Sequence, residues 1–207
     1  MDLPAKIMRR VRGHGRGGII FTPADFVDLG ARAAVDQALS RLVKAGTLRR
    51  VGRGLYDWPR QSKLLGGDAP AAADDVAAAA ARRVGATAAP DNLAAANALG
   101  LTTAVLSRPA YMASRKLGDR TVGTLRVKFR PSGAKLAPLL NTDAAVIVQA
   151  LAWARASGFD LNEAAAKIAR TASDAATSAL AANLRRLPVW ALGPAREILR
   201  NRGILSA

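Results

Sequence analysis

The stretch LSRLVKAGTLRRVGRGLYDW, Leu39 to Trp58, decides how the first third of the chain is read. It joins an amphipathic helix to a short basic hairpin through one glycine. Val35, Ala38, Leu39, Leu42 and Val43 recur at the i, i+3, i+4, i+7, i+8 spacing that lays apolar side chains along one helical face. The spacing predicts a helix from about Arg32 to Ala45, stopped at Gly46. Ala33, Gln37, Ser40 and Lys44 fall on the opposite face, with Arg41 on its shoulder. Past Gly46, TLRRV and LYDW read as two strands, and GRG between them supplies the glycines a tight hairpin turn needs.

Working outward, residues 3–12 predict a first helix, with Leu3, Ile7 and Val11 at four-residue steps. GHGRGG, Gly13 to Gly18, ends it, because glycine loses the most backbone freedom in a helix. IIF predicts a short strand. TPAD opens a short helix: Thr22 can cap, Pro23 suits the first helical position and Asp25 completes a variant capping box. Phe26, Val27 and Leu29 are its expected buried face, closed by Gly30. Helix, short helix, longer helix and hairpin, in that order, predict a winged helix-turn-helix. Short side chains at Ala33, Gln37 and Ser40 would let the third helix sit deep in a major groove, where glutamine pairs with adenine edges. Arg53 at the hairpin tip can reach phosphate or a narrow minor groove, with Arg49 and Arg50 at the base of the wing. Winged helices also serve as plain protein–protein modules, and that reading stands beside the DNA one.

Charge favours a polyanionic partner. The 207 residues carry 31 Lys and Arg against 15 Asp and Glu, a formal net charge of +16. The excess is densest over residues 1–60, where 12 basic residues face 5 acidic ones. Nucleic acid is the commonest partner for such a surplus and a membrane surface the second. Half of the chain is apolar, much of it alanine, and only 4% is aromatic. Without cysteine there is no disulfide framework, thiolate metal site or thiol nucleophile. No apolar run approaches spanning length and the N-terminal stretch has no signal-type apolar core, so the expectation is a soluble cytoplasmic protein.

The expected class is α+β, mainly helical: the winged helix-turn-helix over 1–60, a Pro/Gly/Ala-rich linker over 61–73, a small α/β domain over 74–140 and a helical region over 141–207. Asp74 and Asp75 open one helix, acidic where a helix N-terminus favours it. ATAAP is expected as an extended segment ahead of the helix DNLAAANALGL. AYMAS and TVGTLRVKFRP read as strands around a KLGDR turn, the second broken or bulged at Gly123. Arg126, Lys128 and Arg130 alternate on that strand, either as a phosphate-contact strip or as the charged side of an edge strand. The helix from Thr142 to Gly158 is apolar on most of its face and is read as a homodimer surface. NEAAAKIAR, DAATSALAANLRRL and GPAREILRNRG complete the helical region.

Catalytic constellations are missing. The one histidine, His14, lies in the glycine cluster among Arg9, Arg10, Arg12 and Arg16, and reads as a solvated or phosphate-touching side chain. The two glutamates, Glu163 and Glu197, lie in separate helical segments, and Asp74 and Asp75 suit capping. GGDAP lacks the Lys-Ser/Thr ending of a phosphate-cradling loop. Neither a metal cluster nor a Ser–His–Asp set can be assembled. The expectation is no enzyme, no cofactor and no metal. Tyr56 and Trp58 read as aromatics packed on the helices rather than as base-stacking platforms, and Trp153 and Trp190 as core or interface.

Phe21, Asp25 and Phe26, then VDQALSRL with Gly46, RGLYDWP and NALGL, in this order and spacing, resemble the AbiEi-type antitoxins of abortive-infection type IV toxin–antitoxin pairs and related bacterial winged-helix proteins. The resemblance covers roughly residues 6–130. It implies a repressor that binds inverted repeats of double-stranded DNA at its own operon, and a second domain that opposes a nucleotidyltransferase-like toxin, often without a stable complex. On this likeness the helix opening at Arg32 and Ala33 would be the reading helix, with Gln37, Ser40, Arg41 and Lys44 towards DNA. Arg49, Arg50 and Arg53 would be the wing contacts. The chain departs from the pattern at Ala31, where a capping serine is expected; its loss costs about 1 kcal/mol. The alternatives are a winged-helix regulator or nucleoid-associated protein with no toxin, and a protein–protein adaptor whose charge is incidental.

Overall fold

Leu3, Ile7 and Val11 set one side of the first helix, α1 (Leu3–Gly13), which Asp2 caps by accepting from the Ala5 N–H at 3.1 Å. A computed structural model describes residues 2–104, 108–134 and 136–205 of the chain. After α1 comes a 3-10 turn (Pro23–Phe26), then α2 (Arg32–Lys44) and the antiparallel pair β1 (Arg49–Gly52) and β2 (Leu55–Asp57). Val35, Ala38, Leu39 and Leu42 are the buried stripe of α2. They share a core with Ile7, Met8, Val11, Phe21, Phe26, Leu48 and Tyr56. IIF does not form a strand of its own; Phe21 makes a single bridge with Tyr56, its N–H donating to the Tyr56 carbonyl at 2.7 Å. Val27, expected inside, is 55% exposed, because the single 3-10 turn buries Pro23 and Phe26 and leaves the residue after it outside.

The chain divides into two compact units, Met1–Gly85 with Arg120–Val127, and Ala86–Asp119 with Lys128–Ala207. These boundaries differ from the expected ones at 60, 73 and 140. The segment read as a linker carries a second small hairpin, β3 (Gln61–Ser62) with β4 (Gly67–Asp68). The helix α3 (Ala73–Arg82) belongs to the first unit, where Arg82 donates to the Ile20 carbonyl at 2.7 Å and to the Asp25 carboxylate at 2.9 Å. Of the two expectations at Gly123, broken or bulged, the strand is broken: Gly123 has φ +58° and the chain reverses there. In the second unit β5 (Ala88–Pro90) pairs antiparallel with β6 (Ala110–Ala113). Within Arg120–Val127, which belongs to the first unit, the reversal at Gly123 pairs β7 (Arg120–Val122) antiparallel with the start of β8 (Leu125–Pro131).

The last four residues of β8 run parallel to β6. AYMAS is therefore no hairpin partner of the strand that follows it. Asp91 caps α4 (Asn92–Ala98). The helix α5 (Ala144–Ala156) is the centre of this unit, its Ile147, Val148, Ala150, Leu151 and Ala154 all within one core with side chains of α4, α6 (Leu161–Thr171), α7 (Asp174–Ala182) and α8 (Val189–Asn201). The apolar surface of α5 that prompted the homodimer reading is covered by helices of its own unit, so α5 does not offer that surface to a second chain. The last helix starts four residues before GPAREILRNRG and carries Pro194 inside it; burial of Ala191, Pro194, Ala195, Ile198 and Leu199 accompanies the longer helix. The class is α+β, about half helical, with small sheets.

Candidate nucleic-acid interface

With one stripe of α2 buried, helical geometry turns Arg32, Ala33, Gln37, Ser40, Arg41 and Lys44 outward, and all six are exposed or partly so. Arg32 is tied to Asp36 one turn on, Nε to Oδ2 at 3.0 Å. Arg41 and Lys44 form no ion pair among the described residues. Ala31 precedes the helix with no side-chain cap.

The hairpin of β1 and β2 turns over Arg53 and Gly54. Gly54 has φ +70°, a backbone region that side-chain-bearing residues rarely adopt, so the GRG motif is used for its turn. The Arg83 guanidinium donates to the Arg53 carbonyl at 3.0 Å and lies 3.2 Å from where a Cβ on Gly54 would sit. The residue after α3 thus braces the hairpin tip. Between α2 and the hairpin opens a concavity of about 540 Å³ lined by Pro23, Arg32, Asp36, Arg50, Arg53, Gly54, Tyr56 and Arg83. Four guanidinium groups meet one carboxylate there, and that carboxylate is already paired with Arg32. An anion entering would find Arg50, Arg53 and Arg83 with no acidic partner among the described residues.

Arg49 is different. Its Nε and Nη2 donate to the Asp57 carboxylate at 3.1 and 2.5 Å, and Nη2 also donates to the Ala69 carbonyl at 2.9 Å. The hydrogen bonds to Asp57 raise the guanidinium above its ordinary value against the pull of burial, with the charges of Asp57 and Asp68 adding to them. Arg49 therefore stands apart from the expected wing contacts: it neutralises Asp57, which is only 4% exposed. Arg83 is the residue the sequence reading misses. Its signal is the Arg82–Arg83 pair closing a helix, but nothing local says that this helix returns to the hairpin.

The aromatic candidates and His14 pack against neighbouring side chains. Tyr56 is buried in the core of the first unit, and Trp58 is half-buried beneath the Arg16 guanidinium, 4.5 Å from its ring centroid. His14 sets its ring edge-on to Phe21, centroids 5.5 Å apart. Trp190 lies under Arg155, and Trp153 packs on Phe159. Arg126, Lys128 and Arg130 are all exposed, alternating with buried Val127 and Phe129. Among the described residues no group of three or more His, Asp or Glu is placed to hold a metal ion. No helix among them is long and apolar enough to cross a membrane.

No curated protein matches the chain. Residues 6–171 match the family described as "Family of unknown function (DUF6088)", and over that span, most of its length, the chain belongs to this family.

Proposed function

We propose that the first unit is a winged helix-turn-helix that binds double-stranded DNA in a sequence-specific way, and that the protein represses its own operon as a type IV-like antitoxin. The helix α2 would enter the major groove with Gln37 and Ser40 towards base edges. Arg41 and Lys44, at its C-terminal end, would flank the groove. Arg50 and Arg53, with Arg83 added, would hold backbone phosphate. The observation that carries the reading is the concavity between α2 and the hairpin, where three guanidinium groups without acidic partners among the described residues sit beside the outward face of α2. The net charge of +16 supports it. The antitoxin role rests on the motif resemblance alone, and a nucleotidyltransferase gene beside this one would support it.

The test is a gel-shift titration at physiological salt, comparing DNA from upstream of the gene with a scrambled fragment of equal length. A preference of about a thousandfold or more is expected of a specific reader. With Arg41, Lys44, Arg50, Arg53 and Arg83 on phosphate, log K should fall against log salt with a slope of about −4 to −5 per bound chain. Arg53→Ala should weaken binding to both fragments alike, whereas Gln37→Ala should narrow the gap between them. Equal affinity for the two fragments in the unaltered protein would mean a nucleoid-type role. No binding to either would return the first unit to protein partners.

A further inference from the structure

The second unit contains an open concavity of about 690 Å³ that no part of the DNA reading uses. Arg108, Lys128 and Arg130 line it together with Trp153, Asn92 and Asp91. The three cations are exposed and have no acidic partner among the described residues. Two of them are held in place by strand register: Lys128 stands opposite Ala110 and Arg130 opposite Met112, while Val127 and Phe129 point the other way into the protein. Strand pleat puts residues two apart on one face, so both ammonium and guanidinium lie on the same side. Asp91 contributes the one negative charge, and its carboxylate is occupied in capping α4, accepting from the Ala94 N–H at 3.1 Å.

Charge alone would describe any anion site. Two further groups narrow the ligand. Trp153, half-buried on α5, packs against Phe159 with centroids 6.1 Å apart and also lines the concavity. Indole beside clustered cations is the combination that binds unpaired nucleotides, with stacking for the base and charge for the phosphate. Asn92 also lines the concavity; its Oδ1 is buried without a hydrogen-bond partner among the described residues and would meet a base N–H or sugar O–H only if the side chain turned into the space. The volume falls in the range of small-molecule sites.

We propose that this concavity binds an unpaired nucleotide, its phosphate held by Arg108, Lys128 and Arg130 and its base laid on Trp153. The source is either a free nucleotide or the single-stranded part of a nucleic acid, which share this chemistry. The inference does not depend on the duplex-binding reading, because its residues belong to the other unit.

The experiment is fluorescence polarisation of a labelled single-stranded hexathymidylate with the full chain, competed by AMP, by inorganic phosphate and by an unlabelled duplex. Binding is expected, and the double charge reversal Lys128→Glu with Arg130→Glu should weaken it at least tenfold. Trp153→Leu, which keeps apolar volume but removes the stacking face, should weaken it by about tenfold, with an unchanged melting temperature certifying the fold. Arg53→Ala should leave it unaltered. Competition by AMP assigns the site to a free nucleotide, and competition by single strands alone assigns it to a strand. No binding, or full affinity in the charge-reversed variant, would overturn the proposal. So would an equal loss in Arg53→Ala, competition by phosphate as good as that by AMP, or stronger competition by the duplex.

Discussion

Arg49 and Arg53 stand four residues apart on one hairpin in opposite surroundings. Arg53 is exposed at the tip, whereas Arg49 is spent on a carboxylate that has almost no access to water. Removing one member of a buried pair leaves the other charge without compensation, which is worse than losing both. Arg49→Ala should therefore destabilise the protein by about 2–3 kcal/mol, below the full value for a deeply buried pair because Arg49 keeps some exposure. Arg53→Ala should stay within about 0.5 kcal/mol of the parent, as surface changes usually do. Urea unfolding of the two variants side by side reads the difference. Equal stabilities would show that Asp57 gains little from Arg49. In the sequence the two arginines differ only as base and tip of one basic hairpin, and both read as wing contacts.

At the scale of elements, the 3-10 turn and α3 meet at Asp25. Its carboxylate accepts from the Thr22 N–H at 2.7 Å, from the Thr22 hydroxyl at 3.1 Å and from Arg82 through both oxygens. Burial pushes the Asp25 carboxyl up, but the Arg82 and Thr22 bonds outweigh it and hold it below its ordinary value. A depressed carboxylate contributes stability that is complete above the ordinary carboxylate range and is lost as pH falls through the folded-state value. Asp25→Asn should cost about 1–2 kcal/mol at pH 7, discounted for the partial exposure of Arg82. It should also flatten the loss of stability between neutral pH and the acid limb of urea-unfolding curves. Asp28, held low by hydrogen bonding to Arg10, should keep part of that acid dependence in the variant. An unchanged pH profile would remove Asp25 from the account. The Thr22–Asp25 half of this arrangement is legible as T-P-A-D spacing. The Arg82 half is not, because 57 residues separate the partners and no periodicity links them.

For the molecule as a whole, α5 decides the reading of the C-terminal half. A helix with apolar residues around most of its circumference is either the centre of a bundle or an interface, and sequence cannot separate the two. Here Leu151 has no exposure and belongs to a core that includes side chains of four other helices of the same unit. Leu151→Ala should cost about 2–5 kcal/mol through lost burial and the cavity left behind. Its thermal midpoint should not depend on protein concentration, as it would if α5 joined two chains. A midpoint that rises with concentration in both parent and variant would restore the interface reading.

The amino-acid sequence by itself determines what neighbouring positions impose on one another: the buried stripe of α2, the glycine turn at Arg53–Gly54, the acidic start of α3, the helix beginning after Asp91 and the alternation along β8. These follow from helical and strand periods and from turn chemistry, which act over a few residues. Tertiary structure alone decides that α3 returns to the hairpin through Arg83, and that Arg49 turns inward. It decides also that Arg108, Lys128, Arg130 and Trp153 share one concavity. Each of those outcomes joins residues distant along the chain, and it is long-range packing that selects among partners which local pattern leaves equivalent.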